Sequence, residues 1–180
     1  MTEHRAPERR NRIQVLDVSV LVAVQQATDV RGTLLAAHTL SRVGEHAGGW
    51  LLIGALGTTL DRPRRREWAG ATAGVLAAHA ASVVLKRVAR RLRPLDERVR
   101  VRTGTPSRWS FPSSHASSTT AAALGFGAVL GRRGPWAFVP AMAVSRLVLG
   151  VHYPSDVLAG IALGAGAARL ARRHAAEVRG

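Results

Sequence analysis

The chain contains no cysteine. A disulfide framework, a thiolate zinc site and a cysteine nucleophile are therefore excluded, and the redox state of the compartment leaves no mark on the sequence. Aromatic residues are scarce, at 4% of 180 residues. A net charge of +15 invites a nucleic-acid reading, but no aromatic platform stands among the basic residues on which bases could stack, so nucleic acid is not an expected partner. Acidic residues number only 11. Lysine is scarcer still: of 26 basic residues only Lys86 is a lysine. In a chain that writes every other cation as arginine, a solitary lysine reads either as drift or as a place that needs a compact point charge.

What is abundant is small and apolar. Charged residues make up an ordinary 21%, yet they are bunched, leaving uncharged runs at His46–Leu60, Trp68–Leu85, Trp109–Gly131, Gly134–Ser145 and Val157–Ala168. Crossing a ~30 Å hydrocarbon core takes about 20 apolar residues, with roughly 17 as the lower end. The second and third runs meet that outright. The others reach helical length by adding interfacial residues whose arginines can snorkel, as in AGGWLLIGALGTTL, PWAFVPAMAVSRLVLG and SDVLAGIALGAGAARLARR. The 31 alanines and 18 glycines concentrate in the runs, a composition that lets membrane helices approach closely. A soluble helical bundle is the competing architecture, because short apolar runs also make buried core helices. Against it, residues 68–85 and 115–131 are apolar or small all round. The expected fold class is all-α: a polytopic, multi-pass cell-membrane bundle of about five to six membrane helices, with residues 1–180 forming a single membrane-embedded domain.

The first 45 residues differ. A basic head at 1–12, with Arg5, Arg9, Arg10 and Arg12, precedes IQVLDVSVLVAVQQATDV, where Asp17, Gln25, Gln26 and Asp29 interrupt the apolar pattern. An N-terminal interfacial helix over 13–30 is expected rather than a clean span. With neither an uninterrupted apolar core nor a small-residue cleavage site, no signal peptide is expected. Elsewhere the arginines flank the runs, at 62–66, 132–133 and 169–173, where membrane lipids with anionic headgroups would hold them. Counted by face, nine basic residues between Lys86 and Arg108 oppose ten on the other side, so the sequence assigns no side to the membrane. It assigns no oligomeric state either.

Three short segments carry chemistry. In KRVARRLRP, Lys86 and Arg93 stand where a helix begun near Trp68 leaves the membrane. In SFPSSHASSTTAAA, Pro112, Ser113, Ser114 and His115 open an apolar helix, whose free N–H groups and dipole favour a phosphate. There Ser113 or Ser114 is a plain N-cap and His115 an interfacial residue, or the turn cradles an anion and His115 donates a proton. In SRLVLGVHYPSD, Arg146 offers a bidentate clamp, and Asp156 either caps a helix or orients His152 four residues earlier. Lys86 and Arg93 follow one span, His115 opens the next, Arg146 and His152 follow the third, and Asp156 opens the fourth. All therefore meet at one membrane face, three cations, two imidazoles and one carboxylate, with no carboxylate or thiolate cluster for a metal. That composition describes a phosphate site with no metal and no cofactor.

The patterns K-x6-R-P, P-S-x-H and S-R-x5-H-x3-D, in that order over Lys86 to Asp156, resemble the signature motifs of the type 2 phosphatidic acid phosphatase superfamily. The resemblance implies metal-independent hydrolysis of a phosphate monoester through a phosphohistidine. His152 would be the nucleophile, Asp156 its orienting partner and His115 the general acid, then the base for water. Lys86, Arg93, Ser113, Ser114 and Arg146 would bind the phosphoryl oxygens. One position departs from the pattern: Ser114 stands where the superfamily usually has glycine, and a positive φ there would cost serine about 1 kcal/mol. The stretches SRVGEHAGGWLLIGALG, AAHAASVVLKR, GTPSRWSFPSSHASSTTAAA and SRLVLGVHYPSD resemble an actinobacterial branch that removes the sugar phosphate from a polyprenyl-linked phosphoribose on the route to cell-wall arabinan. The expected partner is thus a polyprenyl-linked or other lipid phosphate, with Glu45, His46 and Arg108 either head-group contacts or ordinary interfacial polarity. The alternatives are a polyprenyl diphosphate or phosphatidic acid type phosphatase, and a non-catalytic phospholipid-binding membrane protein.

Overall fold

The computed structural model describes residues 12–177, so the basic head, Arg12 excepted, lies outside the described residues. Among the described residues seven α-helices follow one another: α1 (Arg12–Ala27), α2 (Arg31–Gly44), α3 (Gly48–Leu60), α4 (Arg65–Ala89), α5 (Ser114–Leu130), α6 (Phe138–Val148) and α7 (Pro154–Glu177). Turns of 3₁₀ helix at Glu45–Ala47, Arg62–Arg64 and Gly134–Ala137 join α2 to α3, α3 to α4 and α5 to α6. Among the described residues there is no strand, only an isolated antiparallel bridge between Leu92 and Trp109.

Each of the five uncharged runs holds a helix, α3 to α7. The run from Trp109 is helical only from Ser114, because Pro112 disfavours helix in the residue before it and the Ser113 hydroxyl caps the next turn by accepting from the Ala116 N–H at 3.4 Å. Its helix is 17 residues long, not the whole run. Among the described residues one helix, Arg62–Ala89, is long and apolar enough to cross a membrane by itself. The helix expected over 13–30 ends at Ala27, and a second, α2, follows that no uncharged run announced. Its buried positions include Ala37 and Gly44, with Leu34 and Ser41 half-buried, so it presents one narrow face to the bundle.

The bundle is centred on α5, which packs against both α4 and α7 while those two touch each other. Close approach of α7 depends on Gly160 and Gly164, one turn apart, because a Cβ at either would run into the carbonyls of Ser113 and Ser117 on α5. A second packing layer joins Trp68 to Phe126 at 5.1 Å and buries Trp50, whose indole N–H donates to Thr119 Oγ1 at 3.0 Å. Large apolar side chains such as Leu52, Leu76, Val84, Leu158 and Leu170 point outward.

The ends of α4 and α6 and the starts of α5 and α7 lie at one end of the bundle, covered by the irregular segment 90–113. That segment is fixed from both sides. Ser110 donates its N–H to Arg91 O at 2.8 Å, while Gln25 of α1 accepts from the Arg100 N–H at 3.0 Å and donates to Arg100 O and Val148 O at 2.7 and 3.2 Å. Asp17 and Gln25, which looked like interruptions of an apolar helix, are buried contacts between α1 and this end.

Candidate active site

A cavity of about 570 Å³ opens at this end of the bundle, and Lys86, Arg93, Ser114, His115, Arg146 and His152 all line it. Each arrives by its own route. Lys86 belongs to the last turn of α4 and is buried; its ammonium donates to Trp109 O and Ser110 O, both at 3.2 Å. Those two bonds leave one of three ammonium hydrogens for an anion. Arg93 is held by the irregular segment, Nε donating to Ser107 O at 2.8 Å and Nη1 to Val151 O at 2.6 Å. The same Nη1 lies 3.4 Å from His152 Nε2. Burial lowers Arg93 to about 10, which still leaves it cationic at neutral pH.

Arg146, near the end of α6, is 2% exposed. Its Nη2 donates to Ser145 Oγ at 2.8 Å, and that hydroxyl donates to Ala37 O of α2 at 2.9 Å, so α2 fixes the guanidinium through its neighbour. Arg146 Nε is buried with no hydrogen-bond partner among the described residues. A buried N–H of this kind is costly unless a ligand satisfies it, and a phosphoryl oxygen does so with a charge-assisted bond.

The two histidines are held differently. His115, in the first turn of α5, has Nε2 3.1 Å from Ser41 O. A carbonyl only accepts, so Nε2 carries the hydrogen and Nδ1 is the nitrogen left for proton transfer. Gly44 lies against the His115 ring, where a Cβ would collide with the imidazole and with Met142. His152 follows Gly150, whose φ of 70° turns the chain from α6 into α7. It is buried, and burial first, then Arg93, Lys86 and Arg146, holds the imidazole well below its ordinary pKa. It is therefore neutral at physiological pH, with a lone pair to offer.

Asp156 stands behind His152, outside the cavity lining, where it caps α7 and faces the imidazole. As the third residue of α7 it accepts the Tyr153 N–H at 2.8 Å on Oδ2, the reciprocal half of a capping box. The same oxygen is 3.7 Å from His152 Nδ1, beyond hydrogen-bond distance, and the Ser110 carbonyl also acts on that imidazole. Its Oδ1 pairs with Arg91 at 2.8 Å.

Of the serines, Ser114 lines the cavity and Ser113 does not. Ser113 is fully buried, is the N-cap of α5, and uses its N–H on Asp156 O at 3.0 Å, so it ties α5 to α7 instead of offering that N–H to an anion. The serine-for-glycine departure at 114 carries no strain, since Ser114 is a helical residue and the non-glycine residues with positive φ are His46, Ala47 and Arg90 among those described. Glu45 and His46 line the cavity, whereas Arg108 lies outside it with its guanidinium 4.6 Å over the Trp109 ring. Nothing in the sequence pointed to Ser41 and His79, which also line the cavity, to Gly44, packed against the His115 ring, or to Arg91, hidden among the spacer residues of K-x6-R-P. Among the described residues no group of three or more histidines or carboxylates gathers as metal ligands would.

Residues 67–178 match the family described as the PAP2 superfamily. The chain is 53% identical over 150 residues to the decaprenylphosphoryl-5-phosphoribose phosphatase of Mycobacterium tuberculosis, covering 83% of this chain and 85% of that protein. It is 52% identical over 143 residues to the protein of the same name from Mycolicibacterium smegmatis, covering 79% of each. Among solved structures it resembles Aquifex aeolicus LpxE, with a TM-score of 0.72, 17% identity and 94% of this chain and 99% of that one covered. It also resembles the transmembrane PAP2 type phosphatidylglycerolphosphate phosphatase of Bacillus subtilis, with a TM-score of 0.73, 20% identity and coverage of 94% and 89%. At such identities the two structures speak for the fold alone.

Proposed function

The chain belongs to the PAP2 superfamily, and from that premise we propose that it is a membrane lipid phosphatase that hydrolyses decaprenylphosphoryl-5-phosphoribose to decaprenylphosphoryl ribose and inorganic phosphate, in the supply of cell-wall arabinan precursor. The observation that carries the reading is the meeting of three cations and two imidazoles in one cavity, in a chain more than half identical to phosphatases of that lipid. The outward-facing leucines and valines of α3, α4 and α7 suit a lipid surround, and α3 to α7 are read as the membrane helices, with α1 at the interface, in one phosphatase domain.

The chemistry follows from the nitrogen assignments. His152 Nε2, neutral, attacks phosphorus while Arg93, Arg146 and Lys86 take the phosphoryl oxygens; Arg93 Nη1, 3.4 Å from Nε2, marks where one of those oxygens sits. The P–O bond to the ribose breaks, and the leaving oxygen takes a proton from Nδ1 of His115, whose ring enters this step as the imidazolium, with hydrogens on both nitrogens, and leaves it neutral with its hydrogen on Nε2. The Asp156 carboxylate offsets the charge that the substituted His152 ring gains. In the second half, water attacks phosphorus, His115 Nδ1 takes its proton, and the N–P bond breaks to return neutral His152 and phosphate. Glu45 and His46 contact the head group from the opposite wall, with Arg108 at the rim.

Phosphate release by detergent-purified protein from decaprenylphosphoryl-5-phosphoribose, a polyprenyl diphosphate and phosphatidic acid, with EDTA present and His152→Ala in parallel, tests this directly. Release chiefly from the phosphoribosyl lipid, lost in the variant, is the expected result. Release chiefly from another lipid overturns the substrate and keeps the mechanism; equal release by wild type and variant overturns the mechanism.

A further inference from the structure

Asp17 lies in the middle of an apolar helix, outside the residues that match the family. It is nevertheless 5% exposed and fully engaged. One carboxylate oxygen accepts the Ser155 N–H at 2.9 Å; the other accepts the Ser155 hydroxyl at 2.5 Å and Arg91 Nη2 at 2.7 Å. Arg91 turns its other terminal nitrogen to Ser155 Oγ at 2.6 Å and to Asp156 Oδ1 at 2.8 Å, with its guanidinium 4.2 Å over the Tyr153 ring. Asp156 in turn faces His152 Nδ1. An unbroken run of contacts therefore joins α1 to the back of the imidazole. One guanidinium is shared between two buried carboxylates, and a planar fork anchored at both ends cannot rotate toward either.

We propose that Asp17 is a positioning residue of the site: acting through Arg91 and Ser155, it fixes the Asp156 carboxylate behind His152 Nδ1 and so aims Nε2 into the cavity. The inference rests on the reading of His152 as nucleophile. Without the Asp17 charge, Arg91 keeps one carboxylate and follows it, and the first turn of α7 loses its lateral anchor. Displacing a reacting group by about 1 Å costs on the order of a hundredfold in rate.

Asp17→Asn retains an oxygen for the Ser155 N–H and removes the charge that holds Arg91. Its kcat is expected to fall on the order of ten- to a hundredfold, with KM within about twofold of wild type. The decisive measurement is a cycle with Asp156→Asn. If Asp17 acts through Asp156, Asp17→Asn costs nothing further once Asp156 is replaced; a merely structural role makes the two losses multiply. Multiplying losses, or a kcat for Asp17→Asn within twofold of wild type, overturn the proposal. Arg91→Gln, run through the same cycle, decides the matter if Asp17→Asn does not fold. Activity that survives His152→Ala overturns the underlying reading instead, and is distinguishable because it needs no change at Asp17.

A second inference stands on the cavity lining around His79. His79, seven residues before Lys86 and on the same face of α4, lines the cavity with Nδ1 buried and unpartnered. The His46 ring lies 6.3 Å away, and His46 and Ala47 hold left-handed backbone with φ of 50° and 60°. Two such residues in succession cost on the order of 1 kcal/mol each, strain that is kept where it positions something. The geometry points to a hydroxyl-binding subsite formed by His79, His46 and Glu45, which takes the pentose between the cleaved phosphate and the lipid, and which rests on the proposed substrate. His79→Leu is expected to lower the ratio of kcat/KM for decaprenylphosphoryl-5-phosphoribose over phosphatidic acid by about tenfold. His46→Ala, on an exposed turn, reads the same ratio if His79→Leu does not fold. A ratio within twofold of wild type overturns the subsite alone, whereas wild-type inactivity on the phosphoribosyl lipid overturns the substrate and the subsite together.

Discussion

The lining of the cavity and the support behind it are built from different materials. The wall from α4 to α7 presents charge: Lys86, Arg93, Arg146 and the two histidines all come from it. Behind the lining, α1 and α2 support these groups mainly with a backbone carbonyl, a missing side chain and a buried carboxylate: Ser41 O on His115, the absent Cβ of Gly44 beside the same ring, and Asp17 behind Arg91. The difference teaches how the labour of the site is divided. Charge has to come from particular residue types at particular spacings, because only those reach and neutralise a phosphoryl group. Position can be set by a carbonyl that any residue supplies, and so it need leave no pattern.

The sharpest way to test that division is to remove chemistry from the charged wall. His152→Ala is expected to abolish phosphate release, with a loss of at least about ten-thousandfold in kcat. His115→Ala should lose less, on the order of a hundred- to ten-thousandfold, because an alkoxide leaving group still departs without an acid, only more slowly. Single-turnover phosphate release separates the two. An unequal effect in the reverse order would mean that the roles of the two imidazoles are exchanged.

Next in size is a change that adds no charge and removes none. Gly44→Ala places a methyl group against the His115 ring and Met142. Overpacking of this kind costs about 1–3 kcal/mol, which at this position is read either as lost stability or as a displaced acid. The expected result is a fall in kcat of roughly tenfold or more with little change in KM, because His115 acts on the leaving oxygen and not on binding. If KM rose while kcat held, Gly44 would belong to the substrate wall and the contrast between lining and support would weaken.

How much of this was legible beforehand follows the same division. The three motifs could be read because their spacing places Lys86, His115 and His152 on helix ends that topology brings together, and every one of those side chains lines the cavity. The helices could be read as far as uncharged runs marked them; α2 could not, because His38, Ser41 and Arg42 break its apolar pattern while facing the cavity. Asp17 was visible only as an apparent flaw in an apolar helix. Its meaning depends on Arg91 and Ser155, which lie 74 and 138 residues away in the chain. Ser113 shows the same limit: the sequence shows an N-cap, but not that its N–H is already taken by Asp156 O.

Ser114→Gly restores the superfamily's usual residue and asks whether the cradle is sensitive to it. Ser114 is helical and needs no positive φ, so the substitution relieves no strain; glycine at a helix start loses only a few tenths of a kcal/mol. Activity within about twofold of wild type is expected from kcat/KM on the phosphoribosyl lipid. A large gain would show that the serine side chain, not the backbone, limits the site.

The smallest effect concerns the cost of the charged wall itself. Burial and the three surrounding cations keep His152 neutral in the folded chain, so its folded pKa lies below the unfolded value of about 6.5. A group depressed on folding contributes nothing above its unfolded pKa. As the pH drops below about 6.5 the unfolded chain takes up a proton that the folded chain refuses, so stability declines with acidification. Replacing the imidazole by a group that does not titrate removes that contribution. The decline in thermal midpoint between about pH 6.5 and pH 5, followed by tryptophan fluorescence in detergent, is therefore expected to be shallower in His152→Gln than in wild type. Identical slopes would mean that His152 takes up its proton in the folded protein as readily as in the unfolded one. The cations of this wall would then not be close enough to keep the nucleophile ready, and Arg93, whose Nη1 lies nearest to Nε2, would be the first residue to re-examine.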